Sequence, residues 1–264
     1  MKSDAPLLEV RNLAKHFPIK GGLWNREQAR VYAVDGISFT VGAGETLGIV
    51  GESGCGKSTV GKTILRLEDP TEGQILLKGN DITHISRKQM LPHRREMQVI
   101  FQDPYASLNQ RMRAQDIVAE PLGNFDAGSR RARLEKVADL FTRVGLRPDA
   151  MHRFPYEFSG GQRQRLGIAR ALALNPEIII ADEPVSALDV SVQARLLDLL
   201  RGLVREMNLS AIIVTHDLAV VRLLADRLMV MKDGHVVEEG LTDQVLDDPQ
   251  HGYTQLLVSS VLHV

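Results

Sequence analysis

The chain has 264 residues, of which 44% are hydrophobic and 25% are charged, and its formal net charge at pH 7 is −1. These values are ordinary for a soluble globular protein with one large α/β domain or two small ones. The near-neutral charge gives no support for nucleic-acid binding. No apolar run approaches the roughly 20 residues that span a bilayer, and residues 1–11 lack a signal-peptide core. A single cysteine excludes an internal disulfide, so we expect a cytosolic protein.

Apolar strands alternate with helices along most of the chain. The predicted strands are residues 7–10, 37–41, 45–50, 73–77, 98–101, 177–181 and 210–214, with an exposed hairpin extension at 20–30. The predicted helices are 60–66, 130–144, 163–174, 190–207 and 218–225, followed by a hairpin at 228–231 and 236–239 that turns at Asp233-Gly234. This alternation predicts a parallel sheet covered on both faces, interrupted by a mostly helical block at 106–155.

A glycine-rich run follows the predicted strand 45–50, namely Gly51-Glu52-Ser53-Gly54-Cys55-Gly56-Lys57-Ser58-Thr59. It matches the pattern G-x-x-x-x-G-K-[ST], whose glycines let backbone N–H groups turn toward phosphate oxygens. Lys57 can reach the β and γ phosphates, and the Ser58 hydroxyl can bind Mg²⁺. The helix that begins near Lys57 adds its positive N-terminal end to the same anion site. The run therefore predicts a nucleotide site.

Two neighbouring carboxylates, Asp182 and Glu183, follow four apolar residues near the end of the predicted strand 177–181. In that position Asp182 can hold Mg²⁺, and Glu183 is a candidate to activate or position an attacking water. A carboxylate pair at a strand end more often forms a solvated turn. The phosphate loop in the same chain favours the catalytic interpretation.

A third element, Ser159-Gly160-Gly161-Gln162, precedes the predicted helix 163–174. Two glycines before a helix expose backbone N–H groups beside a serine hydroxyl and the positive end of the helix dipole. We predict a second phosphate-binding element here. It need not meet the phosphate loop within the same subunit.

These motifs occur, together with Gln102, Ser186-Ala187-Leu188-Asp189 and His216, in the order of an ATP-binding-cassette (ABC) ATPase. The resemblance covers nearly the whole chain, with Phe158 standing where the family usually has leucine. It implies an α/β P-loop NTPase (RecA-like) core with an N-terminal antiparallel β subdomain and an inserted helical subdomain. The implied division of the single domain 1–264 places core and β subdomain at about 1–104 and 171–264, and the helical signature subdomain at about 105–170.

In this family two cassettes pair head to tail, and each ATP lies between one phosphate loop and the other subunit's signature. The resemblance implies ATP and Mg²⁺ as cofactors, with Ser58, Gln102 and Asp182 around the metal. The implied nucleotide contacts are the loop residues Gly51, Ser53, Gly54, Cys55, Gly56, Lys57, Ser58 and Thr59 and the signature residues Ser159, Gly160, Gly161 and Gln162.

Further single residues take their implied roles from the same resemblance. Gln102 corresponds to the Q-loop glutamine, which senses the γ-phosphate and links to the membrane partner. His216 corresponds to the switch histidine that contacts the γ-phosphate, and Asp189 to the D-loop residue at the dimer interface. Phe17 aligns with the aromatic side chain that stacks on adenine, and Tyr32 is the alternative. Together with Glu183, the residues Gln102 and His216 are the candidate catalytic groups.

The Q-loop region narrows the resemblance to one subfamily. Residues 101–109, together with 21–24 and 33–39, resemble the ATPases of oligopeptide, dipeptide and nickel importers, although Gln110 stands where that group commonly has proline. The resemblance implies a peripheral protein on the cytoplasmic face of the inner membrane. Its implied partners are permease subunits, a second ABC ATPase in a homo- or heterodimer and, indirectly, a substrate-binding protein, with no nucleic acid.

The last 75 residues or so resemble a different system. Residues 190–204, 223–228 and 240–262 are similar to the ABC ATPase of carbon–phosphorus lyase systems. Three functions therefore stay open. The Q-loop region favours an importer ATPase for di- or oligopeptides, the tail favours a soluble accessory ATPase of a phosphonate utilisation complex, and a nickel or glutathione importer is the third.

Overall fold

The computed structural model describes residues 5–21, 26–125, 128–186 and 188–261. The chain divides into two compact units, of which unit 1 comprises residues 1–90 and 212–264 and unit 2 comprises residues 91–211. Some residues used in the predictions lie outside the described ranges, namely Gly22, Leu23, Trp24, Asn25, Asp126, Ala127, Ala187 and Leu262.

The secondary structure follows the predicted alternation. The strands are β1 Leu8–Gly21, β2 Arg26–Val41, β3 Thr46–Val50, β4 Glu72–Leu77, β5 Asn80–Asp81, β6 Met97–Ile100, β7 Ile178–Asp182, β8 Ser210–Val214, β9 Arg227–Lys232 and β10 His235–Leu241. The helices are α1 Lys57–Ile64, α2 Arg87–Glu96, α3 Pro104–Ser107, α4 Ala114–Asn124, α5 Arg130–Arg143, α6 Gly160–Leu172, α7 Val190–Glu206, α8 Leu218–Leu224, α9 Thr242–Asp247 and α10 Gly252–Val261. None of the helices in the described ranges is long and apolar enough to cross a membrane.

Unit 1 contains an antiparallel sheet with the strand order β2-β1-β4-β5. Strands β1 and β2 are much longer than predicted, because their pairing continues from Leu8 opposite Val41 to Gly21 opposite Arg26. The described residues of the predicted hairpin extension, 20, 21 and 26–30, therefore belong to these two strands. The register places His16 opposite Tyr32 and breaks at several irregular positions along the pair.

The second sheet of unit 1 has the order β10-β9-β3-β8, where β8 contributes its residues 212–214. All five residues of β3 are buried, which explains its uninterrupted apolar sequence. Strand β9 runs parallel to β3 and antiparallel to β10. The predicted turn between β9 and β10 is confirmed, because Asp233 and Gly234 have φ values of 48° and 83°, as a type I′ turn requires.

The two C-terminal helices complete the core of unit 1, although the sequence analysis predicted neither of them. Val245 and Leu246 of α9 and Tyr253 of α10 belong to one buried cluster with residues of β3, α8 and β9. Leu257 and Val258 of α10 pack against the same cluster. Helices α9 and α10 are thus part of the hydrophobic core of unit 1.

Unit 2 combines two parallel strands, β6 and β7, with the longer helices of the chain. The first residue of β8 joins this pair, because the Ser210 N–H donates to the carbonyl of Glu177 at 3.0 Å. Helices α4 and α5 lie in the block predicted to be helical. Buried Val137, Leu140 and Phe141 give α5 the apolar face expected from its spacing.

Two helix predictions need correction. Helix α6 begins at Gly160, three residues before the predicted start, so Gly160 and Gly161 form its first turn. Helix α2 was not predicted, and it contains Pro92 in its interior. Proline removes a backbone donor and normally breaks a helix, so local sequence argued against this element.

The side chain of Arg227, at the start of β9, contacts three separate segments of unit 1. Replacing this side chain should therefore destabilise the unit. Its guanidinium donates to Glu45 at 2.8 Å and to the Thr40 carbonyl at 3.2 Å, and it pairs with Glu239. Replacing Arg227 with leucine leaves half-buried carboxylates without their partner. We expect the free energy of unfolding to fall by about 2 kcal/mol, measured by denaturant titration.

The matched control is Arg222→Leu in α8. Arg222 pairs with Asp247 where both side chains are more than half exposed. Exposed ion pairs contribute less than about 1 kcal/mol, so this variant should unfold nearly like the wild type. Equal losses in the two variants would contradict the role given to Arg227.

Candidate nucleotide site

The phosphate loop connects β3 to α1 and passes close to backbone atoms of two other strands. Gly51 has φ 151°, and a Cβ placed on it would lie 2.2 Å from the carbonyl oxygen of Met231. Gly56 has φ 104°, and a Cβ there would lie 1.9 Å from the carbonyl oxygen of Ala33. Glycine is therefore required at both positions for conformational and steric reasons.

The Lys57 side chain folds over the loop that precedes it. Its Nζ donates to the carbonyl oxygens of Gly51 and Glu52, both at 2.7 Å, and lies 3.7 Å from Sγ of Cys55. Lys57 is 5% exposed, and Cys55 is also buried. The positive charge predicted to meet phosphates is thus held at the loop, where α1 begins.

His216 lies at the carboxyl end of β8 in unit 1. The neighbouring Thr215 N–H donates to the Ile49 carbonyl of β3 at 3.1 Å, so β8 and β3 end at the same edge of the sheet. Asp217 caps α8, because its carboxylate accepts from the Ala219 N–H at 2.8 Å. His216 therefore lies in the short connection between β8 and α8, beside the strand that leads into the phosphate loop.

The two candidates for adenine stacking are both in the β1–β2 pair. Phe17 is half-buried, and Nζ of Lys15 lies 4.7 Å from the centre of its ring. Tyr32 is 55% exposed, and its ring lies 4.4 Å from that of His16 in a tilted arrangement. Either aromatic face could take part in stacking, so both assignments stay predictions.

In unit 2 the structure brings together two residues that are 81 positions apart. Nε2 of Gln102 donates to Oε2 of Glu183 at 2.8 Å. Asp182 is the last residue of β7, and Glu183 follows it with a φ of 45°. Sequence motifs predicted these residues separately, and the hydrogen bond joins them. The catalytic role of Glu183 stays a prediction.

The segment around Gln102 is anchored by residues that sequence reasoning missed. Nη1 of Arg170 donates to the Ser107 carbonyl at 2.6 Å, and Nε2 of Gln164 donates to the Phe101 carbonyl at 3.4 Å. Burial lowers the pKa of Arg170, although the charge of Glu120 opposes that shift. Both anchors come from α6, whose helical periodicity indicates which residues are buried but not which backbone they reach.

The signature residues form the N-terminus of α6. The Ser159 hydroxyl accepts from the Gln162 N–H at 3.4 Å, and the Gln162 side chain accepts from the Ser159 N–H at 3.0 Å. This reciprocal capping box fixes the start of the helix. Ser159, Gly160 and Gln162 are exposed, whereas Gly161 is buried against Val192 of α7.

Asp189 occupies the N-cap position of α7 and is exposed. The residues before it are held by Gln193, whose Nε2 donates to the carbonyls of Leu188 at 2.8 Å and Val185 at 3.1 Å. This anchor holds the carbonyls of Val185 and Leu188 against the first turn of α7. The predicted place of Asp189 at a dimer interface requires such exposure.

The predicted metal ligands offer only oxygen atoms, which suits Mg²⁺. They are the Ser58 hydroxyl in unit 1 and the Asp182 carboxylate and Gln102 amide oxygen in unit 2. Within the described part of the chain, no cluster of three or more His, Cys, Asp or Glu side chains is arranged to hold a metal. Of the three predicted ligands only Asp182 is one of these residue types, so the predicted Mg²⁺ site stays a prediction.

The fold and the phosphate loop define a P-loop NTPase. The particular family follows from comparison with known proteins, since the pattern that describes the ABC transporter family matches residues 34–186. The chain is 54% identical over 256 residues to the oligopeptide transport ATP-binding protein AppF of Bacillus subtilis, covering 97% of this chain and 78% of that protein. This chain belongs to the ABC transporter family and is an ATPase of the ATP-binding-cassette class.

Two further comparisons agree with this assignment. The chain is 49% identical to the glutathione import ATP-binding protein GsiA of Salmonella typhi, covering 97% of this chain and 41% of that protein. The dimeric post-hydrolysis structure of the ATP-binding cassette MJ0796 bound to ADP and Pi has a TM-score of 0.79 and 31% identity, covering 89% of this chain and 98% of that one. The predicted fold class is confirmed.

The close contact at Gly161 predicts a specific packing defect. A Cβ on Gly161 would lie 2.5 Å from Cγ1 of Val192, so Gly161→Ala should destabilise unit 2 by about 1–3 kcal/mol. Adding Val192→Ala should restore part of that loss, because it removes the clashing methyl groups. Denaturant titration of the single and double variants measures the coupling.

The control is Gly167→Ala in the same helix. A Cβ on Gly167 would meet nothing within 4 Å, so helix propensity should make this change neutral or slightly stabilising. The packing account fails if Gly161→Ala and Gly167→Ala have the same effect, or if Val192→Ala gives no recovery.

Proposed function

We propose that this ATPase powers an importer for di- or oligopeptides. The observation that carries the proposal is the 54% identity to the oligopeptide transport protein AppF, which extends over 97% of this chain and therefore includes most of its last 75 residues. The Q-loop region, residues 101–109, supports the same subfamily. ATP binding and hydrolysis would drive the transport cycle through association of two cassettes.

The site residues divide into those that hold ATP and those that act on it. The phosphate loop from Gly51 to Thr59 would bind the phosphates, with Lys57 as the positive charge. Ser58, Asp182 and Gln102 would hold Mg²⁺, which would neutralise phosphate charge. Glu183 would orient or deprotonate the attacking water, and His216 would contact the γ-phosphate.

A second cassette would complete each site. Ser159, Gly160 and Gln162 are exposed at the start of a capped helix, where backbone N–H groups suit an anion. The similarity to a dimeric cassette structure supports the pairing of two cassettes, which the proposal arranges head to tail. The second subunit would be a copy of this chain or a related cassette.

An exposed aromatic patch in unit 2 supports a permease partner. We define the aromatic patch as Tyr105, Phe154, Tyr156 and Arg163. Tyr105 and Tyr156 are 56% and 60% exposed, the Arg163 guanidinium lies 5.3 Å from the Tyr105 ring, and Phe154 stacks on Tyr156 at 5.5 Å. Exposed aromatic and arginine side chains are typical of protein interfaces. Tyr105 follows Gln102 closely, so this surface could link nucleotide state to a membrane partner.

Two alternatives rest on separate observations. The 49% identity to GsiA favours glutathione as a cargo. The Q-loop resemblance of residues 101–109 also extends to nickel importers. The tail residues 190–204, 223–228 and 240–262 favour a soluble accessory ATPase of a phosphonate utilisation complex. In the importer proposal the protein would lie at the cytoplasmic face of the inner membrane, with a substrate-binding protein delivering cargo to the permeases.

Glu183→Gln tests the hydrolytic role. The variant keeps the side-chain shape but loses the carboxylate that would act on water, so we expect kcat for ATP to fall roughly a hundredfold or more. ATP binding should persist, and ATP should then trap a dimer detectable by size-exclusion chromatography. Glu177→Gln makes the same chemical change at the residue immediately before β7 begins and should leave hydrolysis unchanged. Wild-type turnover in Glu183→Gln would remove this residue from the mechanism.

Affinity capture from gently solubilised native membranes tests the importer. We expect two polytopic permeases and a related cassette, identified by mass spectrometry. The double variant Tyr105→Ala/Tyr156→Ala should lose the permeases, whereas Leu241→Ala, which alters an exposed apolar side chain of unit 1, should retain them. Capture of soluble phosphonate-degrading enzymes instead would overturn the proposal. Uptake of labelled peptide, glutathione or nickel by reconstituted vesicles then identifies the cargo.

A further inference from the structure

The C-terminal helix α10 contacts the phosphate loop directly. The backbone N–H of Glu52, the second residue of the loop, donates to the Tyr253 hydroxyl at 3.0 Å. The two residues are 201 positions apart in the chain. None of the motifs that predicted the nucleotide site includes Tyr253.

This hydrogen bond acts on the part of the loop where the chain turns away from β3. A Cβ on Gly51, just before Glu52, would lie 2.2 Å from the Met231 carbonyl oxygen, so the backbone is close to β9 at this point. The Glu52 carbonyl accepts from Nζ of Lys57 at 2.7 Å. On the N-terminal side of the same residue, the Glu52 N–H donates to the Tyr253 hydroxyl. The orientation of this turn is therefore defined by contacts to the loop lysine and to a helix distant in sequence.

The Tyr253 ring is itself firmly placed. It is 8% exposed within the cluster that includes Val50 and Leu218, and Nζ of Lys232 lies 5.1 Å from the ring centre. The start of α10 is anchored by Glu238, whose carboxylate accepts from the N–H groups of Gln250 at 2.8 Å and His251 at 3.0 Å. The hydroxyl thus reaches Glu52 from a fixed position.

The hydroxyl also remains neutral. Burial raises the pKa of Tyr253, and the nearby carboxylates of Glu52 and Asp233 act in the same direction, against the opposing effect of the Glu52 N–H bond. A neutral phenol can accept the Glu52 N–H without adding a negative charge beside a loop that must bind phosphates. The chemistry of the contact therefore suits an anion site.

We propose that Tyr253 is a positioning residue for ATP, whose hydroxyl holds the Glu52 peptide and so sets the first turn of the phosphate loop. The proposal rests on the assignment of this loop to nucleotide phosphates. Tyr253 acts through Glu52 and does not need to touch the nucleotide. The tail would then contribute to ATP affinity in addition to completing the core.

Tyr253→Phe tests the proposal, because it removes the hydroxyl and keeps the packed ring. We expect the Kd for ATP, measured by calorimetry on the full chain, to rise about tenfold, which corresponds to about 1.4 kcal/mol. KM for ATP should rise similarly, while kcat at saturating ATP should change less than twofold. Ser259→Ala removes a hydroxyl from an exposed position of α10, where it donates to the Leu256 carbonyl, and should leave Kd and KM unchanged.

The outcomes separate this proposal from the assignment on which it rests. An unchanged Kd in Tyr253→Phe, with ATP binding normally to the wild type, overturns the positioning role. A lower melting temperature with unchanged Kd and KM overturns it too, because it indicates packing alone. Failure of wild-type protein to bind ATP would instead remove the nucleotide assignment. Tyr253→Leu, which also removes the ring, should raise Kd at least as much as Tyr253→Phe if it folds.

Discussion

The phosphate loop lies against the backbone of two strands, and this close approach constrains the rest of unit 1. Gly51 faces the Met231 carbonyl of β9, and Gly56 faces the Ala33 carbonyl of β2. No side chain fits in either gap, so the loop conformation is coupled to strands far away in sequence. The site depends on the relative positions of β2, β3 and β9, which the core of unit 1 maintains.

At the other candidate elements, helix caps fix the backbone in the way that close strand contacts fix the phosphate loop. Ser159 and Gln162 cap α6, Asp217 caps α8, and Asp103 caps α3 next to Gln102. Each cap satisfies backbone N–H groups that a helix start leaves unpaired and fixes the direction in which the chain enters. Exposed signature residues on a rigid helix start fit the proposed contact with nucleotide in a second cassette.

The C-terminal tail links core packing to the candidate site. Helices α9 and α10 bury apolar side chains against β3 and α8, and this packing places Tyr253 beside Glu52. Helices α9 and α10 therefore have a structural role in unit 1. Partner choice in the proposed importer would depend instead on the aromatic patch of unit 2.

Local patterns in the sequence determined the motifs, the buried strands and the Asp233-Gly234 turn, because each depends on residues adjacent in the chain. The phosphate loop predicted a nucleotide site for the same reason, whereas the resemblance to ABC ATPases implied the full fold class. Tertiary structure alone decided the Gln102–Glu183 and Glu52–Tyr253 hydrogen bonds, since their partners are far apart in sequence. It also decided helix α2, where the surrounding fold overrides the local preference of Pro92.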